Sequence, residues 1–210
     1  MTTKTLNISE EQLVDYSKAH NEPSWMTELR KKALKLTETL EMPKPDKTKL
    51  RKWDFDTFKQ HHTTGDAYTQ LTDLPKSVKE IIDVENSENL IIQHNNELAY
   101  TQVSDQAKHD GVIIEGLSEA LVNHSDLVQK YFMTKAVDVD EHRLTALHTA
   151  LVNGGIFVYV PKNTVVEHPI QYVVLHDDEQ ASFYNHVIIV TEESAEVTYV
   201  ETVSYTHLWA

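Results

Sequence analysis

The sequence predicts an α+β protein, in which a helical N-terminal region precedes a region of short strands. Near the N-terminus, apolar residues recur at helical spacing and predict one buried stripe, formed by Trp25, Leu29, Ala33, Leu36 and Leu40. After residue 86 the periodicity changes to short β-type runs separated by turn residues. From residue 156 onward, such runs begin about every dozen residues with no helical pattern between them.

The helical region is expected over residues 1–85 and includes an extended arm. Ser9-Glu10-Glu11-Gln12 has the pattern of a capping box and predicts a first helix to about residue 20. Pro23 suits the first turn of a second helix, which ends before Pro43 because the residue preceding a proline avoids the α conformation. A short third helix is expected over residues 75–82. The polar residues 44–73, called the arm below, are expected to be held to the core by Trp53, Phe55 and Phe58.

The strand region is expected over residues 86–202. Its first runs are residues 90–92, 98–103 and 112–114, with turns predicted at Asn95-Asn96 and Asp110-Gly111. Helical patterns interrupt the strands over residues 118–153. Four more strands are predicted over residues 156–160, 170–176, 181–190 and 195–203. Regular short strands of this kind form a sandwich or a solenoid, and periodicity alone does not distinguish the two.

The last inserted helix is expected just before the glycine pair Gly154-Gly155. Asp140 is predicted to cap its start, and Gly154 or Gly155 to end it by supplying a positive φ. Leu147 and Leu151 lie on one face of this helix and are expected to anchor it against the first strands.

Composition and charge exclude several classes of function. The net charge of −14 disfavours a nucleic-acid-binding protein, which needs a basic face. Residues 30–52 are the exception, with nine basic and three acidic residues, and they form either a solvated helix and linker or a docking surface for an acidic partner. The chain has no cysteine, so it can supply neither a disulfide nor a thiolate ligand to zinc or an iron–sulfur cluster. No secretory signal or membrane-spanning run is visible, which predicts a cytoplasmic protein.

Twelve histidines suggest a metal site, but their spacing does not predict one. No pair has the four-residue separation that places two rings on one helical face. The adjacent rings of His61 and His62 are expected to point in different directions, and those of His142 and His148 to lie on different faces of a helix. His168 is expected to form a hydrogen bond in a turn or at the edge of a strand layer, and His176 and His186 to stack across neighbouring strands. The prediction is therefore no metal and no cofactor bound by this chain.

Catalytic motifs are also missing from the sequence. The acidic clusters Asp177-Asp178-Glu179 and Glu192-Glu193-Ser194 lie between predicted strands and are interpreted as solvated turns. There is no Gly-x-Ser-x-Gly nucleophile motif and no Gly-rich phosphate loop. No catalytic or cofactor-binding residue is predicted, and the chain is expected not to be an enzyme.

Several segments together resemble the SufB/SufD family of iron–sulfur cluster assembly proteins. The resemblance covers nearly the whole chain, and its most specific part is the run from Asn153-Gly154-Gly155 to Pro169-Ile170-Gln171. The other segments that carry it are Asn21-Glu22-Pro23-Ser24-Trp25-Met26, Leu29-Arg30-Lys31-Lys32-Ala33-Leu34, Met42-Pro43-Lys44-Pro45, Asp110-Gly111-Val112 and Leu144-Thr145-Ala146-Leu147-His148. The resemblance implies that the strands begin a right-handed parallel β-helix.

The resemblance also implies a function. It predicts a non-catalytic scaffold subunit of a cytoplasmic complex, in which the full complex handles the Fe–S cluster. The partners would be a SufB-like subunit and a SufC-like ABC-type ATPase, with no nucleic acid and no membrane. The alternative is a carbohydrate-binding or carbohydrate-active β-helix protein, which only the strand-rich half supports.

The chain departs from the family in length. Family members are roughly twice as long, so the chain is expected to be an N-terminal fragment without the later coils and the ATPase-docking helices. Residues 203–210 are expected to be a spurious tail, because Val203-Ser204-Tyr205-Thr206-His207-Leu208 resembles a translated sequencing adapter.

Overall fold

The computed structural model describes residues 6–50, 53–57, 60–82 and 87–205. Within these residues the fold is mixed α+β, with helices first and sheets afterwards, as the sequence predicts. Phe58 and residues 206–210 of the expected tail lie outside the described residues, whereas residues 203–205 continue the last strand. No helix in the described part of the chain is long and apolar enough to cross a bilayer.

Seven α-helices are formed within the described residues, and local signals account for several of their ends. They are α1 Glu10–Ala19, α2 Ser24–Thr39, α3 Lys76–Lys79, α4 Asp105–His109, α5 Leu117–Asn123, α6 Ser125–Tyr131 and α7 Arg143–Leu151. The predicted capping box is confirmed, because the Gln12 amide donates to Ser9 Oγ at 3.2 Å and the Ser9 amide to Gln12 Oε1 at 2.8 Å. The cap of α7 is His142 rather than Asp140. The His142 ring accepts from the Thr145 amide, and Thr145 Oγ1 accepts from the His142 amide.

In the described part of the chain, seven strands form two sheets that face each other. They are β1 Asn89–His94, β2 Glu97–Gln102, β3 Ile113–Gly116, β4 Gly154–Val160, β5 Ile170–His176, β6 Asn185–Thr191 and β7 Tyr199–Tyr205. The first sheet has the order β2-β1-β5-β7 and the second the order β3-β4-β6. Only β1–β2 and β3–β4 pair antiparallel, whereas β1–β5, β5–β7 and β4–β6 pair parallel. The predicted turn at Asn95-Asn96 joins β1 to β2.

From β4 onward, successive strands alternate between the two sheets. Gly154 on β4 aligns with Asn185 on β6, and Ile170 on β5 aligns with Tyr199 on β7, so each strand lies beside the second strand that follows it. The turns repeat as well, because Asn163 and Ser194 both adopt positive φ, at 59° and 60°. Backbone hydrogen bonds connect these turns, including the Asn163 amide to Glu193 O at 3.0 Å. The chain therefore returns to the same position at every second strand, although its sequence does not repeat.

Gly155 has a different role from the predicted one. Helix α7 ends at Leu151, before the glycines, and Gly155 lies inside β4 with φ of 126°. A Cβ atom at this position would clash with the carbonyl oxygen of His186 on β6. The glycine is therefore needed for the close approach of two strands rather than for a helix end.

The apolar core consists of contiguous clusters between the layers. The cluster between the sheets takes side chains from both, among them Ile91, Tyr172, Ile156 and Val158. Leu147 and Leu151 are buried as predicted, but they pack with residues of the helical region such as Leu13 and Ala33 rather than mainly on the strands. The fully covered positions of α2 are Met26, Arg30, Ala33 and Thr37, so the buried stripe is rotated from the predicted one.

Of the predicted aromatic anchors of the arm, Phe55 is partly buried against the cluster of Leu13 and Ala33, whereas Trp53 is not, and hydrogen bonds hold the later residues. Trp53 is 63% exposed and stacks on Phe55 at 6.0 Å between ring centroids. Further along, Gln60 exchanges backbone hydrogen bonds with residues 180 and 182, both at 2.9 Å. The Asp66 amide donates to His94 Nδ1 at 2.9 Å, and the Tyr68 amide to Ala99 O at 2.7 Å. The arm therefore follows the sheets closely from residue 60 onward.

Leu151→Ala should destabilise the chain by about 2–5 kcal/mol, because it opens a cavity at a fully buried leucine in the helical cluster. The matched control is Val122→Ala on α5, where the side chain is 50% exposed and the expected change is within about 0.5 kcal/mol. Urea denaturation of both variants measures the difference. Equal losses in the two variants would show that Leu151 is not a core residue.

Candidate functional site

A cluster of histidines surrounds Tyr16 where α1, the arm and β2 meet. The Tyr16 ring is nearly buried, and its centroid lies 4.1 Å from that of His20, 4.6 Å from His61 and 5.8 Å from His62. Glu97, the first residue of β2, completes the cluster by approaching His62. Three segments that are distant in sequence thus contribute to one partly buried polar site.

The end of α1 positions His20. Asn21 adopts a left-handed conformation with φ of 53°, which asparagine tolerates better than most residues, and this turn ends the helix. His20 is the C-cap, and its Nδ1 lies 2.8 Å from Tyr16 O. A carbonyl oxygen can only accept, so Nδ1 carries the proton of the neutral ring. The other nitrogen, Nε2, is then an acceptor and faces His62 Nε2 at 3.4 Å.

His62 and Glu97 form the second contact of the cluster. His62 Nε2 lies 3.0 Å from Glu97 Oε1, and the two side chains are 22% and 41% exposed. The hydrogen bond from His62 lowers the pKa of Glu97 and outweighs the opposing effect of burial. The carboxylate is therefore ionised at neutral pH. Donor atoms of His20, His62 and Glu97 all lie within 4.8 Å of one another.

His61 points away from this group, as the sequence predicts for adjacent residues. Its Nε2 donates to Leu151 O at 2.9 Å, which ties the arm to the end of α7. Burial lowers the pKa of His61 to about 4, so the ring is neutral at neutral pH. The backbone oxygen of His61 also accepts from the side-chain amide of Asn153. His61 is thus a structural residue beside the cluster.

A buried ion pair lies beneath the histidine cluster. Arg30 donates to both carboxylate oxygens of Glu22, through Nε at 2.8 Å and Nη2 at 2.5 Å, and both side chains are 2% exposed. Its Nη1 donates to Ala150 O at 3.0 Å, and its guanidinium carbon lies 5.0 Å from the centre of the Tyr16 ring. Burial opposes ionisation of Glu22, but Arg30 outweighs it and lowers the pKa. Arg30, counted among the basic residues of segment 30–52, is therefore buried and paired rather than solvated.

Other cations of this basic segment are also paired within the chain. Lys31 approaches Glu10 at 3.5 Å and Glu28 at 3.0 Å, and Lys35 approaches Glu10 at 3.2 Å. These exposed or half-exposed pairs leave less free positive charge than the sequence count suggests. They weaken the interpretation of residues 30–52 as a docking surface for an acidic partner.

A second histidine pair lies between α7 and β6. His148 Nε2 is 2.7 Å from His186 Nδ1, and the His186 ring lies 4.7 Å from that of Phe132. The predicted stack of His176 on His186 is corrected, because β5 and β6 belong to different sheets and His176 instead faces Phe183. Burial lowers the pKa values of His148 and His186 to about 4, helped by Arg30 and by His148 respectively.

The remaining residues considered from sequence have structural partners. Asp177 Oδ1 accepts from His94 Nε2 at 2.9 Å and from Asn95 Nδ2 at 3.1 Å, so this turn is more ordered than a solvated loop. Burial opposes ionisation of Asp177, but these hydrogen bonds prevail and lower its pKa. Glu193 pairs with Lys162 at 2.5 Å, and His168 Nδ1 lies 3.6 Å from Glu88. None of these contacts forms a nucleophile–base arrangement.

The convergence of His20, His62 and Glu97 was not predicted from sequence. The two histidines are 42 residues apart, and no helical or strand periodicity connects them. The only local signal is the turn at Asn21, which fixes the direction of His20. The expectation that no histidines converge is therefore corrected for this pair.

Arg30→Met should destabilise the chain by about 3–5 kcal/mol, because it leaves the buried Glu22 carboxylate unpaired. The matched control is Lys31→Met on the same helix, whose ion pairs reach the surface and should contribute much less to stability. Urea denaturation at neutral pH compares the two variants. Similar losses from both would contradict a structural role for the buried pair.

The His148–His186 pair should make stability depend on pH. Both rings have a pKa of about 4 in the folded chain against about 6.5 when unfolded, so the unfolded chain binds more protons between these values. Their contribution to the free energy of unfolding is fully present above about pH 6.5. It should fall by about a few kcal/mol as the pH approaches 4. Urea denaturation between these pH values measures the loss.

The control separates this pair from the other titrating groups. The double variant His148→Gln and His186→Gln should show a shallower pH dependence than the unsubstituted chain. His109→Gln, at an exposed position, should leave the dependence unchanged. An unchanged slope in the double variant would mean that other groups cause the loss.

Comparison with known proteins agrees with the sequence resemblance. The family profile described as "SufBD protein N-terminal region" matches residues 9–172. The chain is 47% identical to the iron–sulfur cluster assembly protein SufD of Bacillus subtilis over 197 residues, which are 93% of this chain and 45% of that protein. SufBD family proteins of Staphylococcus epidermidis and Pyrococcus horikoshii are 28% and 29% identical, over 92% and 93% of this chain and 43% and 45% of their own lengths.

These matches have two consequences. The chain spans less than half the length of these curated relatives. The carbohydrate-related alternative is not favoured, because the relatives are named for iron–sulfur cluster assembly. The profile covers well over half of the chain, so this chain belongs to the SufB/SufD family of iron–sulfur cluster assembly proteins.

Proposed function

We propose that the chain is the N-terminal part of a non-catalytic scaffold subunit that assembles iron–sulfur clusters in the cytoplasm. The observation that carries this proposal is the 47% identity to a protein named as the assembly protein SufD. The cluster is the cargo of the complex in this proposal. The chain has no cysteine, so thiolate ligands to that cluster must come from partner subunits or from other parts of the protein.

The proposed partners are a SufB-like subunit and a SufC-like ATPase. The family resemblance supports both, and it assigns ATPase docking to a helical region beyond the part matched here. Since the chain spans 45% of the Bacillus subtilis relative, we propose that different parts of the longer protein have different roles. The part described here builds the start of the scaffold, and the remainder of the longer protein holds the ATPase.

The two sheets are proposed to be the first coils of a right-handed parallel β-helix. Three observations support this: the alternation of strands between the sheets, the parallel pairing of each strand with the second strand after it, and the stacked turns at Asn163 and Ser194. In this proposal residues 1–85 form the helical region with its arm, residues 86–202 begin the β-helix, and residues 118–153 are its inserted helices.

The last strands provide the place where the β-helix would continue. Within the described residues, β6 and β7 each pair with one strand and form one edge of their sheet. Ile189, Val200 and Val203 on these strands are 38–45% exposed. Open strand edges and apolar side chains bind further strands. The next coil of the longer protein, or a SufB-like β-helix, is proposed to cover them.

A chimera tests the proposed function. The corresponding N-terminal region of Bacillus subtilis SufD is replaced by residues 6–202 of this chain, and the chimera is expressed in cells depleted of their own SufD. We expect it to co-purify with SufB and SufC and to restore the activity of an iron–sulfur enzyme such as aconitase. The expected restoration follows from the 47% identity and the shared packing that it implies.

The control is a second chimera that carries the matching region of the Staphylococcus epidermidis family protein, which is 28% identical to this chain. It should restore less activity than the first chimera. Equal restoration would assign the chain to the family without a SufD-specific role. A first chimera that is folded and expressed but neither binds SufB and SufC nor restores the enzyme would contradict the proposal.

A further inference from the structure

We propose that His20, His62 and Glu97 form a binding site for one divalent transition-metal ion, with Zn²⁺ as the ion that best fits the donors. Two imidazole nitrogens and one carboxylate oxygen are a common protein donor set for zinc, with a water molecule as fourth ligand. Among the residues that the structure describes, this is the group of three such side chains whose donor atoms converge. The proposal goes beyond the scaffold function and does not depend on it.

The separation of the two histidine nitrogens fits a shared ion. Two nitrogens that bind Zn²⁺ at about 2.0–2.1 Å with a tetrahedral angle lie about 3.3–3.4 Å apart. The Nε2 atoms of His20 and His62 are 3.4 Å apart. The 3.0 Å contact from His62 Nε2 to Glu97 Oε1 would need to lengthen by about 0.3–0.4 Å by the same geometry. Glu97 can move by this amount because its side chain is 41% exposed.

The positions of the ring protons on His20 and His62 also favour a shared metal ion. His20 Nδ1 donates to Tyr16 O, so the lone pair of its Nε2 points toward His62 Nε2. His62 Nε2 has at most one proton, and Glu97 is its nearer acceptor at 3.0 Å. The single proton on His62 Nε2 can therefore form a good hydrogen bond to only one of its two acceptors, Glu97 Oε1 or His20 Nε2. A metal cation in place of this proton can bind all three atoms. The bond to Tyr16 O also fixes the His20 ring, as backbone carbonyls do for metal-binding histidines.

Other histidine–carboxylate pairs in the chain lack this arrangement and provide an internal comparison. His124 Nε2 lies 3.3 Å from Glu115 and His168 Nδ1 lies 3.6 Å from Glu88, but neither belongs to a converging group of three among the described residues. A bound ion at the proposed site would connect the end of α1, the arm and the start of β2. It would thus cross-link the helical region to the first sheet.

The test uses tag-free chain from which metal has been removed with a chelator. Titration with Zn²⁺ in a calorimeter should show saturable binding of one ion per chain, and Co²⁺ should give visible absorption typical of a tetrahedral site. His20→Gln, His62→Gln and Glu97→Gln should each weaken Zn²⁺ binding at least about tenfold, since each removes one ligand. Added Zn²⁺ should also raise the Tm of the unsubstituted chain.

The control is His124→Gln, which removes a ring from a simple histidine–carboxylate pair and should leave Zn²⁺ affinity unchanged. Glu97→Gln guards against misfolding, because it keeps the size of a side chain that is 41% exposed at the start of β2. The proposal is overturned if the unsubstituted chain shows no saturable Zn²⁺ binding. It is also overturned if folded Glu97→Gln and His62→Gln bind Zn²⁺ as tightly as the unsubstituted chain.

Discussion

One buried guanidinium determines how the helical region is assembled. Arg30 is 1% exposed. Its donors reach a carboxylate from the turn between α1 and α2 and a carbonyl from the end of α7, and its guanidinium lies over the ring of Tyr16. A buried charge is tolerated only where its partners are fixed, so α1, α2 and α7 must keep their mutual positions. The histidine cluster around Tyr16 depends on the same arrangement.

Burial and the positive charge of Arg30 act together on two histidines near this ion pair. His61 and His148 are buried near it, and burial together with this charge lowers the pKa of each to about 4, so both remain neutral. They serve as hydrogen-bonding core residues. His20 and His62 instead direct ring nitrogens at each other. The ring nitrogens of His20 and His62 can therefore bind a ligand, whereas the rings of His61 and His148 already form hydrogen bonds to backbone and side-chain partners.

Local features of this fold could be predicted from sequence, and pairings over long distances could not. The capping box at Ser9, the turn at Asn95-Asn96 and most strands depend on a few adjacent residues, so their side chains reveal them. The stacked turns at Asn163 and Ser194 repeat in backbone conformation but not in residue type, which hides the structural repeat from a reading of the sequence. The convergence of His20 and His62 has the same origin, because only tertiary packing brings them together.

The two edge strands of the first sheet, β2 and β7, differ in whether other residues of the chain cover them. At the β2 edge, the Tyr68 amide of the arm donates to Ala99 O at 2.7 Å, and the histidine cluster holds the arm at Glu97, the start of the same strand. This edge is therefore covered, which prevents pairing with other chains. The β7 edge has no such cover among the described residues. In the proposed β-helix, new coils or a partner would add on the β6 and β7 side, with the helical region as the cap from which the scaffold extends.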